Sequence, residues 1–336
     1  AGFACGLILT CGCSTGGLDV LGLNYASSRY DEDVKKYPER LMVGSETMVA
    51  DLPYNWERVK KYPQVLGDFV WSAWDYLGEA CIGDWTYHSY KGLPLLAGQG
   101  MIDITGKPLA SMYFMQIVWG LRKEPFIGVR PLNHTKEAPS TGAWQFTNAI
   151  DSWSWQGYEG EKAVGEGYAD AAAVRLILNG KEIGTKPVKK YKTMFKLPYF
   201  PGTLTAEALD AQGKVISKHS LITAGEETVL TVIPEKAVLH AVSQELCYLP
   251  IEFTDQAGNL KPYIEQRVDI EVEGAVSLAG FGSALCKTNE VFHENHHDSY
   301  RGRCLAVLRA KDSPGKGTVT VKSAGVEPMT IEVEVK

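Results

Sequence analysis

Residues 41–79 read LMVGSETMVADLPYNWERVKKYPQVLGDFVWSAWDYLGE, and the first part of the fold depends on this stretch. Two short apolar runs, Leu41 to Val43 and Phe69 to Trp71, flank a charged segment that is compatible with a helix and contains Trp56 and Val59. This order of strand, helix and strand is typical of a βαβ unit with parallel strands.

Polar residues that follow the two apolar runs are candidates for a functional site. In parallel barrels the C-terminal ends of the strands carry the chemistry, so residues 44–47 (GSET) and 71–75 (WSAWD) would share one rim. A carboxylate beside indole rings suits a sugar-binding site. Taken alone, however, a glutamate after a strand is more often a solvated loop residue or an anion at a helix N-terminus, so its position does not establish catalysis.

Three longer stretches carry a resemblance to a known family. Residues 19–47 (DVLGLNYASSRYDEDVKKYPERLMVGSET), 66–85 (LGDFVWSAWDYLGEACIGDW) and 100–120 (GMIDITGKPLASMYFMQIVWG) resemble the C-terminal part of the catalytic barrel in glycoside hydrolase family 2, most closely its bacterial β-galactosidases. The resemblance continues through the later part of the chain and covers almost everything after residue 17. It implies a partial (β/α)8 TIM barrel that contains strands 6–8.

The resemblance implies roles for residues at the strand ends. Glu46 matches the family's catalytic nucleophile, which forms a glycosyl ester and then releases it to water. Tyr25 matches the tyrosine that hydrogen-bonds this carboxylate, and Asn24 beside it is a candidate substrate contact. Trp71 matches the tryptophan of the galactose subsite, and the family implies a cis peptide bond between Trp71 and Ser72.

Other candidates are weaker, and one expected residue is missing. Trp74, Asp75 and Asp103 are candidate sugar-binding residues, although charged residues after a barrel strand often cap the next helix instead. A retaining enzyme needs a second carboxyl about 5 to 5.5 Å from the nucleophile. In the family this acid/base is the glutamate of an Asn-Glu pair on an earlier strand, and no such pair precedes Glu46. We therefore expect the chain to lack its acid/base and to be inactive by itself.

After Pro131 the pattern changes to short strands separated by turn signals, which predicts two immunoglobulin-like β-sandwiches. We expect the barrel part at 1–133, one sandwich at 134–224 and another at 225–336, so the predicted fold class is multidomain α/β plus all-β. Asn179–Gly180 predicts a tight hairpin turn. Trp153 and Trp155 share one face of a strand, a pattern more typical of core than of a sugar platform.

Composition excludes two classes of partner. The 336 residues carry a net charge of −6, which provides no basic field for nucleic acid, and no apolar run approaches the roughly 18 residues of a membrane span.

Residues 1–17 lack the basic region and apolar length of a signal peptide, so we interpret them as a cut or altered edge. The location stays open, with the periplasm or exterior of a bacterium favoured over the cytoplasm. Oligomers that form through the sandwiches stay open as well.

Cysteines and histidines do not predict a metal site. The seven cysteines form an odd set without a CxxC pair, which signals neither a zinc site nor a complete disulfide framework. Cys286 and Cys304 could bridge in an exported protein, but two buried free thiols are favoured. The run HENHH at 293–297 is more typical of a surface loop than of a metal site. We predict neither a metal nor a cofactor.

These patterns predict a retaining glycoside hydrolase that cleaves terminal β-D-galactosides, including those of oligosaccharides, through a covalent glycosyl-enzyme. The alternative is a non-catalytic carbohydrate-binding or adhesive β-sandwich protein with a vestigial barrel segment. An upstream strand that ends in Asn-Glu would favour the enzyme, whereas an independent start near residue 1 would favour the binding protein. The sequence leaves galactoside, glucuronide and mannoside open.

Overall fold

The chain begins with parallel strands joined by helices. The structure is a computed structural model that describes residues 3–6, 18–137, 139–142, 144 and 146–336. The strands of the first sheet are β1 (Phe3–Gly6), β2 (Val20–Asn24), β3 (Leu41–Thr47) and β4 (Val65–Val70). The helices are α1 (Tyr30–Lys36), α2 (Leu52–Lys61) and α3 (Ala110–Val118), and two short strands, β5 (Trp85–Thr86) and β6 (Leu93–Pro94), lie after β4.

The first sheet has the order β1-β2-β3-β4, and every pairing within it is parallel. The predicted βαβ unit is therefore confirmed as β3-α2-β4. Leu21, Leu23 and Met42 are buried between this sheet and its helices. The resemblance implied three parallel barrel strands, but this sheet has four, because β1 (residues 3–6) pairs with residues 20–23 of β2. The other residues of the predicted altered edge, 1–2 and 7–17, lie outside the described part of the chain.

Two antiparallel sheets follow and share one core. Their strands are β7 (Phe126–Val129), β9 (Lys162–Tyr168), β10 (Ala173–Leu178), β11 (Lys181–Pro187), β12 (Lys192–Pro198), β13 (Thr203–Leu209) and β14 (Val215–Ile222), and the separate strand β8 (Ser140–Thr141) pairs with β5. One sheet has the order β12-β9-β7 and the other β11-β10-β13-β14. Since β7 pairs with β9, these sheets begin before residue 134.

Local turn chemistry and burial in this middle sandwich agree with the sequence. Asn179 and Gly180 both have positive φ (51° and 78°) between β10 and β11, as a primed hairpin turn requires.

Trp153 and Trp155 are completely buried in the core between the sheets. The preference for core over a sugar platform is therefore confirmed for both indoles.

The C-terminal part is a second sandwich. Its strands are β15 (Val229–Val232), β16 (Val238–Leu239), β17 (Leu246–Thr254), β18 (Arg267–Gly274), β19 (Val276–Gly282), β20 (Lys287–Thr288), β21 (His296–Asp298), β22 (Arg303–Ala310), β23 (Gly315–Ser323) and β24 (Met329–Val335). The two sheets, β15-β17-β22-β19 and β16-β24-β23-β18-β21, enclose one apolar core. His297 is fully buried and stacks on Phe292, so the HENHH run is not wholly a surface loop.

Aromatic rings join the first part to the middle sandwich. Tyr113 and Phe114 of α3 contact Phe126 and Tyr168, with ring centroids 4.6 Å apart for Tyr113–Phe126 and 5.2 Å apart for Phe114–Tyr168. This packing attaches α3 to β7 and β9. Among the helices that the structure describes, none is long and apolar enough to cross a membrane.

A buried carboxylate, Glu166, stabilises this junction. Its side chain accepts hydrogen bonds from Arg130 (2.8 Å), Thr147 (2.9 Å) and Tyr168 (2.8 Å), and Lys192 pairs with it at 2.7 Å. Burial by itself would raise the pKa of Glu166, but the charges and hydrogen bonds of Lys192 and Arg130 outweigh it and lower the pKa below its usual 4.5. The carboxylate is therefore charged in the folded protein.

We predict that Glu166→Gln lowers the free energy of unfolding by about 3 kcal/mol, because Arg130 and Lys192 lose the charge that compensates them. A lowered folded pKa means that the contribution is complete above the unfolded pKa near 4.5 and is lost as the pH falls through the folded value. Urea unfolding at pH 7 and at acid pH measures both effects. The control is Glu332→Gln, whose pair with Lys316 is exposed to solvent on both sides, so the free energy of unfolding should stay nearly unchanged. Equal losses for the two variants would contradict the prediction.

Candidate active site

The C-terminal ends of β2, β3 and β4 lie side by side. Asn24 is paired with Glu46 in the parallel register. The backbone N–H of Tyr25 donates to the carbonyl of Glu46 at 2.8 Å, and the N–H of Trp71 donates to the carbonyl of Thr47 at 2.9 Å. The three predicted site positions are therefore neighbours along one edge of the sheet, and backbone hydrogen bonds hold them there.

Tyr25 forms the polar centre of this edge. Its backbone has a positive φ of 50°, and its hydroxyl accepts a hydrogen bond from the indole N–H of Trp144 at 2.8 Å. Burial raises the pKa of Tyr25, the charges of Glu46 and Glu79 raise it further, and the Trp144 hydrogen bond opposes them. The hydroxyl consequently remains protonated, with the Glu46 carboxylate near enough for its charge to act on it.

Trp71 lies beside this pair and begins a chain of contacts. The Trp71–Ser72 peptide bond is cis, as the resemblance implied. The half-buried indole makes an edge contact with Tyr76, at 5.7 Å between centroids. The Tyr76 hydroxyl donates to Glu79 and accepts from Gln99 at 3.2 Å. Burial and Glu79 together raise the pKa of Tyr76 to about 12, so this phenol also stays neutral.

Asn24 has an unusual polar environment. It occupies the strand position opposite Glu46, and its Oδ1 oxygen is buried without a hydrogen-bond partner among the described residues. A buried amide oxygen without a partner is costly, which makes a bound ligand a reasonable source of the missing hydrogen bond.

Below the edge, a glycine permits close packing. A Cβ at Gly44 would lie 2.4 Å from the Oδ1 of Asp68 and 3.0 Å from the hydroxyl of Tyr30. Asp68 accepts hydrogen bonds from Asn55 at 3.2 and 3.4 Å, and burial raises the pKa of its carboxyl. Only glycine fits at position 44 without a shift in this polar layer, which lies two residues before Glu46 in the same strand.

Asp75 and Asp103 are engaged in loop structure. Asp75 is buried and accepts the N–H of Gly98 at 2.9 Å, and burial raises the pKa of its carboxyl. Asp103 accepts hydrogen bonds from the N–H and hydroxyl of Thr105 (2.9 and 2.6 Å), and its other oxygen lies 3.5 Å from Arg303. Neither carboxylate has Glu46, Tyr25 or Trp71 among the partners that the described residues provide.

Trp74 is 55% exposed and packs near Gly106. Its exposed ring remains available to a ligand, unlike the carboxylates of Asp75 and Asp103. Sequence reasoning missed Trp144, Tyr76 and Gln99 altogether, whereas it grouped Glu79 with Trp74 and Asp75 as a weaker candidate for substrate contact. For Trp144 no local signal exists, because it lies 119 residues after the hydroxyl to which it donates.

Two family descriptions match parts of the chain. Residues 230–332 match the glycoside hydrolase family 2 C-terminal domain 5, and residues 166–217 match a domain of unknown function, DUF4982. The first match covers most of the C-terminal sandwich, and the second runs from β9 to the start of β14.

Individual relatives agree with these matches. The chain is 25% identical over 273 residues to the β-galactosidase BoGH2A of Bacteroides ovatus (80% of this chain, 28% of the relative), and 27% identical over 272 residues to a putative β-glucuronidase of Formosa agariphila (79% and 23%). A crystal structure of a glycosyl hydrolase family 2 member from Bacteroides cellulosilyticus superposes with a TM-score of 0.85 at 28% identity, over 96% of this chain and 43% of that one. The chain thus spans less than half of the length of each of these relatives. Together these matches support the interpretation of the chain as the C-terminal part of a glycoside hydrolase family 2 protein.

Proposed function

We propose that this chain supplies the nucleophile side of a retaining β-galactosidase-like active site, with Glu46 as the nucleophile. The observation that carries the proposal is the position of Tyr25 and Glu46 at adjacent strand ends, where the Tyr25 N–H donates to the Glu46 carbonyl at 2.8 Å and the Glu46 charge acts on the Tyr25 hydroxyl. We infer that this hydroxyl donates a hydrogen bond to the Glu46 carboxylate. A retaining enzyme needs a carboxylate of fixed orientation below the anomeric carbon, and a neutral tyrosine donor provides that orientation without a competing charge.

The reaction proceeds by attack of a Glu46 oxygen on the anomeric carbon, with departure of the aglycone and formation of a glycosyl ester. Water then cleaves the ester and restores the carboxylate. Tyr25 orients Glu46 and remains protonated throughout. The half-exposed Trp71 ring packs on the apolar CH face of the pyranose, and Asn24 directs its free amide oxygen to a sugar hydroxyl.

The general acid comes, in this proposal, from another part of the longer protein. Glu79 is the other carboxylate that acts on Tyr25, but it is exposed and already accepts the hydrogen bond of Tyr76. We therefore assign Glu79 a positioning role. Without the acid, the loss of proton donation to the leaving group costs about 10² to 10⁴ in rate, so the chain by itself is inactive on poor leaving groups.

An open strand edge supports a larger barrel. In the described part of the chain, β4 is the last strand of the first sheet and its outer edge pairs with no strand, and Leu66 and Phe69 within it are 54% and 64% exposed. Further strands of a (β/α)8 barrel would cover these side chains and pair the free edge. We assign the two later sandwiches to the immunoglobulin type on their strand spacing.

A terminal β-galactoside is our proposed substrate, on the resemblance of the strand-end residues to bacterial β-galactosidases and on the similarity to the β-galactosidase BoGH2A. A β-glucuronide is the alternative, because a putative β-glucuronidase is a relative of similar identity.

We predict that Glu46→Gln in the full-length protein lowers kcat for an aryl β-galactoside by about 10⁴-fold or more, because an amide cannot form the glycosyl ester. Glu57→Gln is the matched control, since Glu57 is 69% exposed on α2 and should retain full activity. Steady-state assays measure both variants. Substantial activity of the Glu46 variant would move the nucleophile elsewhere and would favour a non-catalytic binding role for this segment.

We predict that Tyr25→Phe in the same protein lowers kcat/KM by about 10- to 100-fold. The phenylalanine keeps the ring contact with Trp144 but removes a hydrogen bond to a charged group, which contributes about 1.5 to 3 kcal/mol. Tyr248→Phe, at an exposed position in the C-terminal sandwich, should leave kcat/KM unchanged. Equal activity of the two variants would show that the Tyr25 hydroxyl does not orient the nucleophile.

A further inference from the structure

Two thiols from distant parts of the chain meet outside the proposed active site. Cys81 belongs to the loop after β4, which we call the rim loop (residues 76–98), and Cys286 belongs to the C-terminal sandwich. Their sulfur atoms are 3.1 Å apart, although the residues are separated by 205 positions. The sequence favoured buried free thiols for Cys286 and Cys304 over a bridge between them, and this is confirmed: both are free and buried, with Cys304 in the sandwich core.

Backbone contacts hold the two cysteines in register. β6 of the rim loop pairs with β20, the strand that follows Cys286 directly. The carbonyl of Cys286 accepts the N–H of Leu95 at 2.9 Å. The carbonyl of Leu96 accepts both the N–H of Cys81 at 2.7 Å and the thiol of Cys286 at 2.8 Å. The two sulfurs are therefore close together because these hydrogen bonds join the rim loop to the C-terminal sandwich.

The two sulfurs have different acid–base character. The polar contact with the Cys286 sulfur lowers the pKa of Cys81, and the charge of Lys287 acts in the same direction. The same contact, together with burial, raises the pKa of Cys286. Cys81 is also the more exposed of the two. Cys81 is thus the more accessible and more readily ionised of the two thiols.

A metal site is the competing interpretation. Ligand atoms of Cys81, Asp84 and Cys286 lie within 4.8 Å of one another. Two thiolates on one tetrahedral zinc, each about 2.3 Å from the metal, would be about 3.8 Å apart. The observed 3.1 Å is shorter than that, so the two sulfur positions fit a bond between the thiols better than two ligands of one zinc ion.

We propose that Cys81 and Cys286 form a reversible disulfide that ties the rim loop to the C-terminal sandwich. The oxidant is an external disulfide such as oxidised glutathione. The Cys81 thiolate attacks one sulfur of that disulfide and releases one thiolate. Cys286 then loses its proton and attacks the Cys81 sulfur, which releases the second thiolate. In total, two protein thiols are oxidised to one disulfide, and one external disulfide is reduced to two thiols.

The cross-link has a structural consequence for the candidate site. The rim loop carries Tyr76 and Glu79, which extend the contacts of Trp71. A covalent bond at Cys81 would restrict this loop relative to the C-terminal sandwich, and closure of so long a loop restricts the unfolded chain strongly.

The experiment is to incubate the purified chain with oxidised glutathione, block the remaining thiols with an alkylating agent and map the peptides by mass spectrometry. We expect the Cys81 peptide joined to the Cys286 peptide, with a loss of two hydrogens that dithiothreitol reverses. The oxidised protein should also unfold at a temperature several degrees above that of the reduced protein. Peptide mapping separates this bond from any that involve Cys5, Cys11 or Cys13.

Three variants control the experiment. Cys286→Ser should accumulate glutathione on Cys81, and Cys81→Ser should abolish the cross-link, whereas Cys304→Ala should keep it. In the unmutated chain, glutathione adducts without a cross-link would overturn the proposal. One equivalent of tightly bound zinc that protects both thiols from alkylation would overturn it as well, in favour of the metal site.

Discussion

The candidate site depends on the parallel pairing of β2 with β3. This pairing places Asn24 opposite Glu46 and directs the Tyr25 N–H to the Glu46 carbonyl. A shift by one residue would turn every side chain of a strand to the other face of the sheet, and the tyrosine would no longer meet the carboxylate. Gly44 is part of the same constraint, because a larger residue would collide with Asp68 and disturb β3 just before Glu46.

Residues far along the chain also contribute contacts to the sheet edge that carries Tyr25 and Glu46. Trp144 reaches the Tyr25 hydroxyl from the segment between β8 and β9, and aromatic contacts of α3 hold the middle sandwich in place. The C-terminal sandwich supports the opposite side, since β20 pairs with the rim loop and Arg303 lies beside Asp103. The two sandwiches thus position the loops that surround the candidate site.

Local patterns in the sequence predicted most of the elements. The stretch 41–79 contains the signals for β3, α2 and β4, and Asn179–Gly180 encodes its own turn. The positions of Glu46 and Trp71 at strand ends follow directly from these elements. The strand at residues 3–6 was missed because it is short and adjoins an irregular composition.

Long-range contacts could not be predicted in the same way. The Trp144–Tyr25 and Cys81–Cys286 contacts join residues 119 and 205 positions apart, and only the docking of domains creates them. Asp75 illustrates a second limit of sequence-based prediction. The sequence does not distinguish an aspartate that binds a sugar from one that accepts backbone N–H groups, as Asp75 does from Gly98. Burial and hydrogen-bond partners distinguish the two roles, and both are properties of the folded chain.

The central claim is that the Glu46 oxygen forms the covalent bond to the sugar. The most direct measurement is to incubate the full-length protein with a 2-deoxy-2-fluoro-β-galactoside that carries a good leaving group, and to map the labelled peptide by mass spectrometry. The fluorine destabilises the cationic transition states, so that the glycosyl ester accumulates. The account predicts one fluorosugar per protein, attached to Glu46. A label on any other carboxylate would contradict it.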